Sequence, residues 1–221
     1  MTRSYKWIGG IGYILTFIPY ANFVSSLITS IAWILMGKET REKIFTATGV
    51  LMIITFALTI GIVALILTAL PSLTLLTPSQ LTGPPFQLFQ RIGHILTPIL
   101  IIGLILAGVA IVAAVLEIVS HFKAGKIFNN TWFRLGGWFR IGLIIAVVIS
   151  IPLIMMSATN ILALGAVSPG AAVLGTIFSI LWPLIIVVIV GLLSIIFSIV
   201  AFFTIPETEE FQGESASNPY L

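Results

Sequence analysis

Four long uncharged intervals are the feature of this sequence that most restricts what it can fold into. They contain 31, 47, 25 and 66 residues and separate Lys6 from Lys38, Lys43 from Arg91, Arg91 from Glu117, and Arg140 from Glu207. A helix rises 1.5 Å per residue, so about 20 apolar residues cross the roughly 30 Å of bilayer hydrocarbon. Because backbone polar groups in lipid must be satisfied internally, each crossing is a helix. The sequence therefore predicts an all-α fold, a polytopic transmembrane helical bundle.

The composition excludes several classes of function. Charged residues make up 8% of the chain, whereas about a quarter is usual in soluble domains. The chain contains no Cys and no Asp, which excludes disulfide frameworks, thiolate metal sites and Asp-based catalytic triads. Phosphate-binding and dinucleotide-binding glycine motifs are also missing from the sequence. We therefore expect a non-catalytic protein without a cofactor or a metal site.

The apolar intervals divide into five membrane segments, which together form a single transmembrane domain over residues 1–205. The segments lie at about 8–36, 44–70, 99–119, 138–157 and 171–205. The first is interrupted by Pro19 and Asn22, and the last has a natural break at Trp182-Pro183, because proline disfavours a continuous helix. Residues 206–221 contain four Glu residues and are expected to form an acidic cytoplasmic tail.

The distribution of Lys and Arg predicts the orientation in the cell membrane. Loops 37–43 and 120–137 are basic, whereas loops 71–93 and 158–170 together contain only Arg91, so the former are expected on the cytoplasmic side. Five full spans would leave three basic residues outside. Four full spans plus a broken or re-entrant N-terminal hairpin would leave only one, with both termini in the cytoplasm. We favour the hairpin, although Ile8–Ile18 is only about 16 Å of helix, too short to cross.

Glu117 is the only acid inside a predicted span, and His121 follows it on the same helical face. Ionisable groups at membrane depth are candidates for proton relays or metal sites. The alternative is a carboxylate that reaches the interface and pairs with His121 or Lys123, and we favour it because two ligands alone do not fix a metal.

Three other polar residues lie in or beside the predicted spans. His94 lies just before the span that begins near residue 99, on its non-cytoplasmic side, and is expected at the membrane interface. Asn22 and Asn160 lie near hydrophobic depth. Each fits either a solute path or, as we favour, a helix-to-helix hydrogen bond or a turn.

Aromatic and basic residues are dense around the second cytoplasmic loop. This arrangement is typical of a belt at headgroup level that anchors helices and attracts anionic lipid. The basic residues are too few and too close to the membrane to indicate nucleic-acid binding. The candidate lipid-interface residues are Lys123, Lys126, Trp132, Arg134, Trp138 and Arg140.

A stripe of small residues runs along the span that begins near residue 99. Such a stripe lets another helix approach closely, either from this chain or from another membrane protein subunit. Its members are Gly103, Ala107, Ala110 and Ala114.

Three stretches of the chain carry a family resemblance. They are the opening Gly9-Gly10-Ile11-Gly12 with Pro19, the glycine-containing turn 126–142 with its Phe128, and the closing Ala201-Phe202-Phe203-Thr204-Ile205-Pro206. Together they resemble a mostly archaeal integral-membrane family, domain of unknown function 996. The resemblance implies a polytopic helical protein of archaeal type, and it implies no activity and no functional residues.

Two functions fit these observations. The first is a non-catalytic accessory or structural subunit of a larger membrane complex, suggested by the scarcity of intramembrane polar chemistry and by the small-residue stripe. The alternative is a small transporter or channel for an ion or small solute, in which Asn22, Asn160 and Glu117 line a path between broken helices.

Overall fold

A computed structural model describes residues 3–74, 85–164 and 169–207 of the chain. These residues form six helices and no strand. The helices are α1 (Ser4–Leu15), α2 (Asn22–Thr40), α3 (Lys43–Thr74), α4 (Pro85–Ile127), α5 (Thr131–Leu164) and α6 (Pro169–Phe203). The predicted all-α fold is confirmed.

The N-terminal segment is a helical hairpin, as the interruption near Pro19 predicts. Leu15 ends α1, and a turn over residues 16–21 leads into α2. Tyr20 adopts a positive φ of 68° in this turn, a conformation that reverses the chain direction and that a helix does not tolerate. The two helices of the hairpin pack closely because Gly12 of α1 has no side chain. A Cβ at this position would lie 2.7 Å from Thr29 Oγ1 of α2.

Four of the described helices are long and apolar enough to cross a bilayer: Lys43–Ala69, Thr97–Ile127, Thr131–Ser157 and Leu181–Phe203. Neither helix of the hairpin is among them, which agrees with four full spans plus a broken hairpin rather than with five full spans. Large side chains such as Leu67 and Leu104 are exposed on the outer faces of these helices, where lipid covers them. The chain is thus a multi-pass membrane protein.

Several predicted boundaries are wrong, because membrane helices continue beyond the hydrocarbon. α4 runs to Ile127 and α5 begins at Thr131, so the predicted basic loop 120–137 shrinks to a three-residue turn. α6 continues through Pro183 without the expected break at Trp182-Pro183. Within the acidic tail, residues 208–221 lie outside the described part of the chain.

The six helices form a closed ring. Each packs against two others: α1 against α2 and α6, α2 against α3, α3 against α4, α4 against α5, and α5 against α6. Short turns at one end join α2 to α3 and α4 to α5, and α1 begins and α6 ends at that same end. Nine of the ten Lys and Arg residues lie on this side, the exception being Arg91 near the start of α4. We call it the basic end.

An aromatic core fills the ring near the basic end. Trp33 is completely buried, and its ring centre lies 5.4 Å from that of Phe202 and 5.5 Å from that of Phe45. Phe133 packs edge-on against Phe202 at 5.2 Å. Because these rings come from α2, α3, α5 and α6, the core ties the hairpin to three of the four spans.

Two glycines of α3 provide a test of this packing. A Cβ at Gly49 would overlap the carbonyl oxygen of Ser30 in α2, whereas a Cβ at Gly61 meets no described atom within 4 Å. Gly49→Ala should therefore lower the free energy of unfolding by about 1–3 kcal/mol, because the two backbones must separate. Gly61→Ala, the matched control, should stay within about 1 kcal/mol of the parent. Thermal unfolding in mild detergent measures both, and equal effects would contradict this packing.

Candidate functional site

A buried polar cluster lies directly behind the aromatic core, at membrane depth. It contains Glu117 of α4 and Arg140 of α5, each six residues further into the membrane than the charged Lys123 and Arg134. At 1.5 Å per residue, that is about 9 Å beyond those interfacial charges. We call it the Arg140 cluster, formed by Tyr13, Glu117, His121, Arg140, Ser194 and Ser198.

An ion pair forms the centre of the Arg140 cluster. Arg140 Nη2 donates to Glu117 Oε1 at 2.7 Å and to Tyr13 Oη at 3.0 Å, while Tyr13 Oη donates to the same carboxylate oxygen at 2.7 Å. The side chains of Arg140 and Glu117 are only 11% and 18% exposed. Both of the carboxylate's hydrogen bonds with described residues go to Oε1, so Oε2 remains available to another donor.

Two serines of α6 bind the other terminal nitrogen of the guanidinium. Arg140 Nη1 donates to Ser198 Oγ at 2.7 Å and to Ser194 Oγ at 3.3 Å. The two serines lie one helical turn apart on one face of α6, so both reach the same nitrogen. Arg140 is therefore held by groups from α1, α4 and α6.

His121 connects the Arg140 cluster to the aromatic core. Its ring is fully buried, and Nδ1 donates to the carbonyl oxygen of Glu117 at 2.8 Å, because a carbonyl only accepts. Nε2 lies 3.2 Å from Ser198 Oγ, the oxygen that also accepts the hydrogen bond from Arg140 Nη1. The ring centre of Trp33 lies 5.1 Å from that of His121. A chain of polar contacts thus runs from Glu117 through Arg140 and Ser198 to His121.

The electrostatics of this cluster depend on the two charges being together. A single charge at this depth is costly, and an oppositely charged partner with additional hydrogen bonds offsets the cost. The ring of Tyr13 adds a cation–π contact, with the Arg140 guanidinium carbon 5.4 Å from the ring centre. The pair carries no net charge, so it does not attract ions of one sign strongly.

A central cavity of about 360 Å³ lies against the side of the Arg140 cluster that faces away from the basic end. All six helices line it. Polar groups come mainly from the hairpin, and apolar side chains come from α3 to α6. The polar lining consists of Tyr13, Thr16, Asn22, Ser25, Ser26, Thr29, Glu117, Arg140 and Ser194, and the apolar lining includes Met52, Ala114, Ile118, Leu143, Ile144 and Ile195.

The structure changes the interpretation of the charged candidates. Glu117 pairs with Arg140 rather than with Lys123, which forms an ion pair with Glu42 at 3.0 Å. Arg140 does not belong to the predicted lipid-facing belt, because its guanidinium points into the ring. The His121 side chain contacts the backbone of Glu117, not its carboxylate.

The other predicted interface residues lie at the surface of the basic end. Lys126 and Arg134 are exposed, and Trp138 is 62% exposed with its ring edge-on to Phe122 at 5.5 Å. Trp132 is 41% exposed and stacks on Phe197 at 5.8 Å. These positions suit aromatic and basic anchors at headgroup level.

The remaining candidates are separate from the Arg140 cluster, apart from Asn22, which begins α2 and lines the central cavity. In the small-residue stripe, Ala114 also lines the cavity, and Ala110 is half-buried. A Cβ at Gly103 would meet no described atom within 4 Å, and Ala107 is exposed. His94 lies in α4 and Asn160 in α5, and their side chains are outside the described part of the structure.

Three members of the site were not predicted: Tyr13, Ser194 and Ser198. The two serines carried a signal, since hydroxyl groups four residues apart inside an apolar span mark one polar face. Tyr13 carried no such signal, because tyrosine in a membrane segment is usually an interfacial anchor.

No family model, curated protein or solved structure matches this chain. The resemblance to domain of unknown function 996 therefore stays a prediction.

Breaking the buried ion pair should cost far more than removing an exposed arginine. Arg140→Met leaves the Glu117 carboxylate buried without a partner and should lower the free energy of unfolding by about 3–5 kcal/mol. The double variant Glu117→Gln/Arg140→Met should lose clearly less than the sum of the two single variants, because the charges are removed together. Chemical or thermal unfolding in detergent measures this cycle.

Arg134→Met provides the matched control, because Arg134 is an exposed arginine of the same helix. It should change stability by no more than about 0.5 kcal/mol. Additive effects of the Glu117 and Arg140 substitutions, or an Arg134 effect as large as that of Arg140, would contradict a coupled buried pair.

Proposed function

We propose that this protein is a small membrane transporter that binds a small solute in the central cavity. The observation that carries the proposal is the cavity itself, lined by all six helices at membrane depth, with an ion pair at its base. Its volume falls within the range of pockets for small molecules. For net stability alone, apolar residues would serve as well as this pair or better, so its position beside the cavity favours a role in binding.

The lining indicates what kind of solute fits. Glu117 Oε2 is free to accept a hydrogen bond, and the hydroxyls of Thr16 and Ser26 and the amide of Asn22 lie on the hairpin side. The opposite wall is apolar, with Leu143 and Ile144 among its side chains. This arrangement favours a solute with an amine or hydroxyl group at one end and an apolar body.

The hairpin supports transport for a second reason. α1 ends and α2 begins within the membrane segment, beside the cavity, so helix termini meet at a depth where transporters commonly use broken helices to bind solutes. Transport requires one part of the bundle to move, and the hairpin is the part that does not cross the membrane. Its movement would change which side of the membrane the cavity faces.

The orientation follows from the basic end. We place this end, both chain termini and the start of the acidic tail on the cytoplasmic side of the cell membrane, because positive loops are retained there. Glu207, the first acid of the tail, lies 3.9 Å from Lys6, so the start of the tail is at the basic end.

An accessory subunit of a larger membrane complex is the second candidate. The observation that favours it is the open face of α4, where neither Gly103 nor Gly108 has a described neighbour within 4 Å of a Cβ. A helix of another membrane protein could pack closely there. Purification from native membranes in mild detergent tests this role. A monomer without a co-purifying partner would count against it.

Reporter fusions test the orientation. Reporters at residue 2 and at the C-terminus should both report the cytoplasm, because α1 begins and α6 ends at the basic end. A reporter inserted between α3 and α4, within residues 75–84, should report the opposite side. An N-terminal reporter on the outside would contradict both the hairpin and the assigned orientation.

Single-cysteine labelling tests the transporter, because the natural chain contains no cysteine to interfere. Ser26→Cys places a thiol in the cavity, and Leu104→Cys places one on the lipid-facing surface of α4, where Leu104 is 74% exposed. A membrane-impermeant, charged methanethiosulfonate should react with the Ser26 variant only, because the thiolate forms in water and not in lipid.

Labelling from each side then separates transport from simple binding. In right-side-out and inside-out vesicles, a transporter should expose the Ser26→Cys thiol to both sides, at rates that differ by the population of each state. Labelling from one side only would indicate a cavity that binds a solute but does not transport it. Labelling from neither side would exclude a water-accessible cavity.

A further inference from the structure

A second cavity of about 250 Å³ lies at the basic end, separated from the central cavity by the aromatic core. It lies between the start of α1, the end of α2 and the end of α4. We call it the Arg3 pocket, lined by Arg3, Tyr5, Glu39, Thr40, Ile127 and Phe128.

The Arg3 pocket contains buried hydrogen-bond donors that the described residues leave unsatisfied. Tyr5 is 1% exposed, and its hydroxyl makes no hydrogen bond with any described residue. The same holds for Nε and Nη1 of Arg3, although Nε lies 3.3 Å from Glu39 Oε1 as an ion pair. A buried donor without a partner costs about 1–3 kcal/mol, so an accumulation of them in one pocket points to a missing acceptor.

The pocket holds these donors in place. The Arg3 guanidinium carbon lies 5.4 Å from the ring centre of Phe128, and the ring of Tyr5 lies 6.3 Å from the same ring. Burial raises the pKa of Tyr5 above its usual value, so the hydroxyl keeps its hydrogen and remains a donor.

The charge balance of the pocket selects the ligand. Arg3 supplies one positive charge, and Glu39, whose side chain is 48% exposed, already offsets part of it. This carboxylate repels a doubly charged anion more strongly than a singly charged one, which disfavours a second negative charge on the ligand. An oxyanion with several acceptor oxygens matches a guanidinium and a phenol best.

We propose that the Arg3 pocket binds a singly charged phosphate group, with Arg3 and Tyr5 as its donors. This site uses none of the residues of the central cavity and goes beyond the proposed transport. The position at the basic end, among the exposed Lys126 and Arg134, lets the phosphate come either from a lipid headgroup or from solution.

Binding to the full chain in detergent micelles tests the proposal. Native mass spectrometry or thermal shift would compare three probes: phosphatidylglycerol, neutral diacylglycerol with the same acyl chains, and inorganic phosphate. Tyr5→Phe should weaken phosphate binding about tenfold, the effect of one hydrogen bond to a charged group, and Arg3→Gln should weaken it more. Tyr20→Phe, whose parent side chain is 97% exposed and lies in the hairpin turn far from the basic end, should leave binding unchanged.

The sign of the stability change separates a ligand site from a packing defect. Without a probe, Tyr5→Phe should unfold at the same or a higher temperature than the parent, because it removes an unpaired buried hydroxyl. When phosphatidylglycerol is added, the unfolding temperature of the parent should rise more than that of the Tyr5→Phe variant, because only the parent keeps its full affinity for the phosphate group.

Each outcome decides the proposal. Stabilisation by phosphatidylglycerol, lost in the Arg3 and Tyr5 variants, supports a lipid headgroup as the source. The same pattern with inorganic phosphate supports a phosphate from solution. Equal stabilisation by diacylglycerol, or an equal loss in the Tyr20 control, would overturn the phosphate site.

Discussion

The ion pair between Glu117 and Arg140 is the interaction on which the architecture depends. It lies where the hairpin meets the long spans, and its hydrogen bonds reach α1 through Tyr13 and α6 through Ser198. Neither charge is acceptable alone at this depth. The two residues therefore fix the register of α4 against α5, and their hydrogen bonds to Tyr13 and Ser198 extend that constraint to α1 and α6.

The remaining layers are arranged around this pair along the axis of the ring. Charged residues at the basic end face water, the aromatic core excludes it, and the cavity beyond the pair has both polar and apolar walls. Trp33 and His121 form the boundary between core and cluster, with ring centres 5.1 Å apart. The same aromatic layer separates the Arg3 pocket from the central cavity, so each can bind a ligand without contact between them.

Much of the fold could be predicted from the sequence, because lipid imposes simple rules on length and polarity. The uncharged intervals located the four spans, and Pro19 located the turn of the hairpin. The helix ends were harder to predict. α4 ends only at Ile127 and α5 already begins at Thr131, because hydropathy indicates where the hydrocarbon ends and not where backbone hydrogen bonding stops. Pro183 did not break α6, since missing backbone bonds at a proline can be compensated by neighbouring helices.

The site was harder to predict, because it depends on which helix faces are neighbours. The sequence singled out Glu117 and Arg140 separately, but Arg140 follows so soon after Trp138 that an interfacial anchor was the natural interpretation. Only the pairing of α4 with α5 brings the two charges together, and one sequence carries no information on that pairing. Tyr13 was missed for the same reason, since its role arises from α1 packing inside the ring.

The short hairpin has a consequence for the bilayer itself. At the basic end six helices pass through the membrane plane, whereas beyond the turn over residues 16–21 only four continue. The molecule thus displaces more area in one leaflet than in the other. Lipids around it must accommodate a wedge, and such an inclusion is least costly where the membrane already curves in the matching direction.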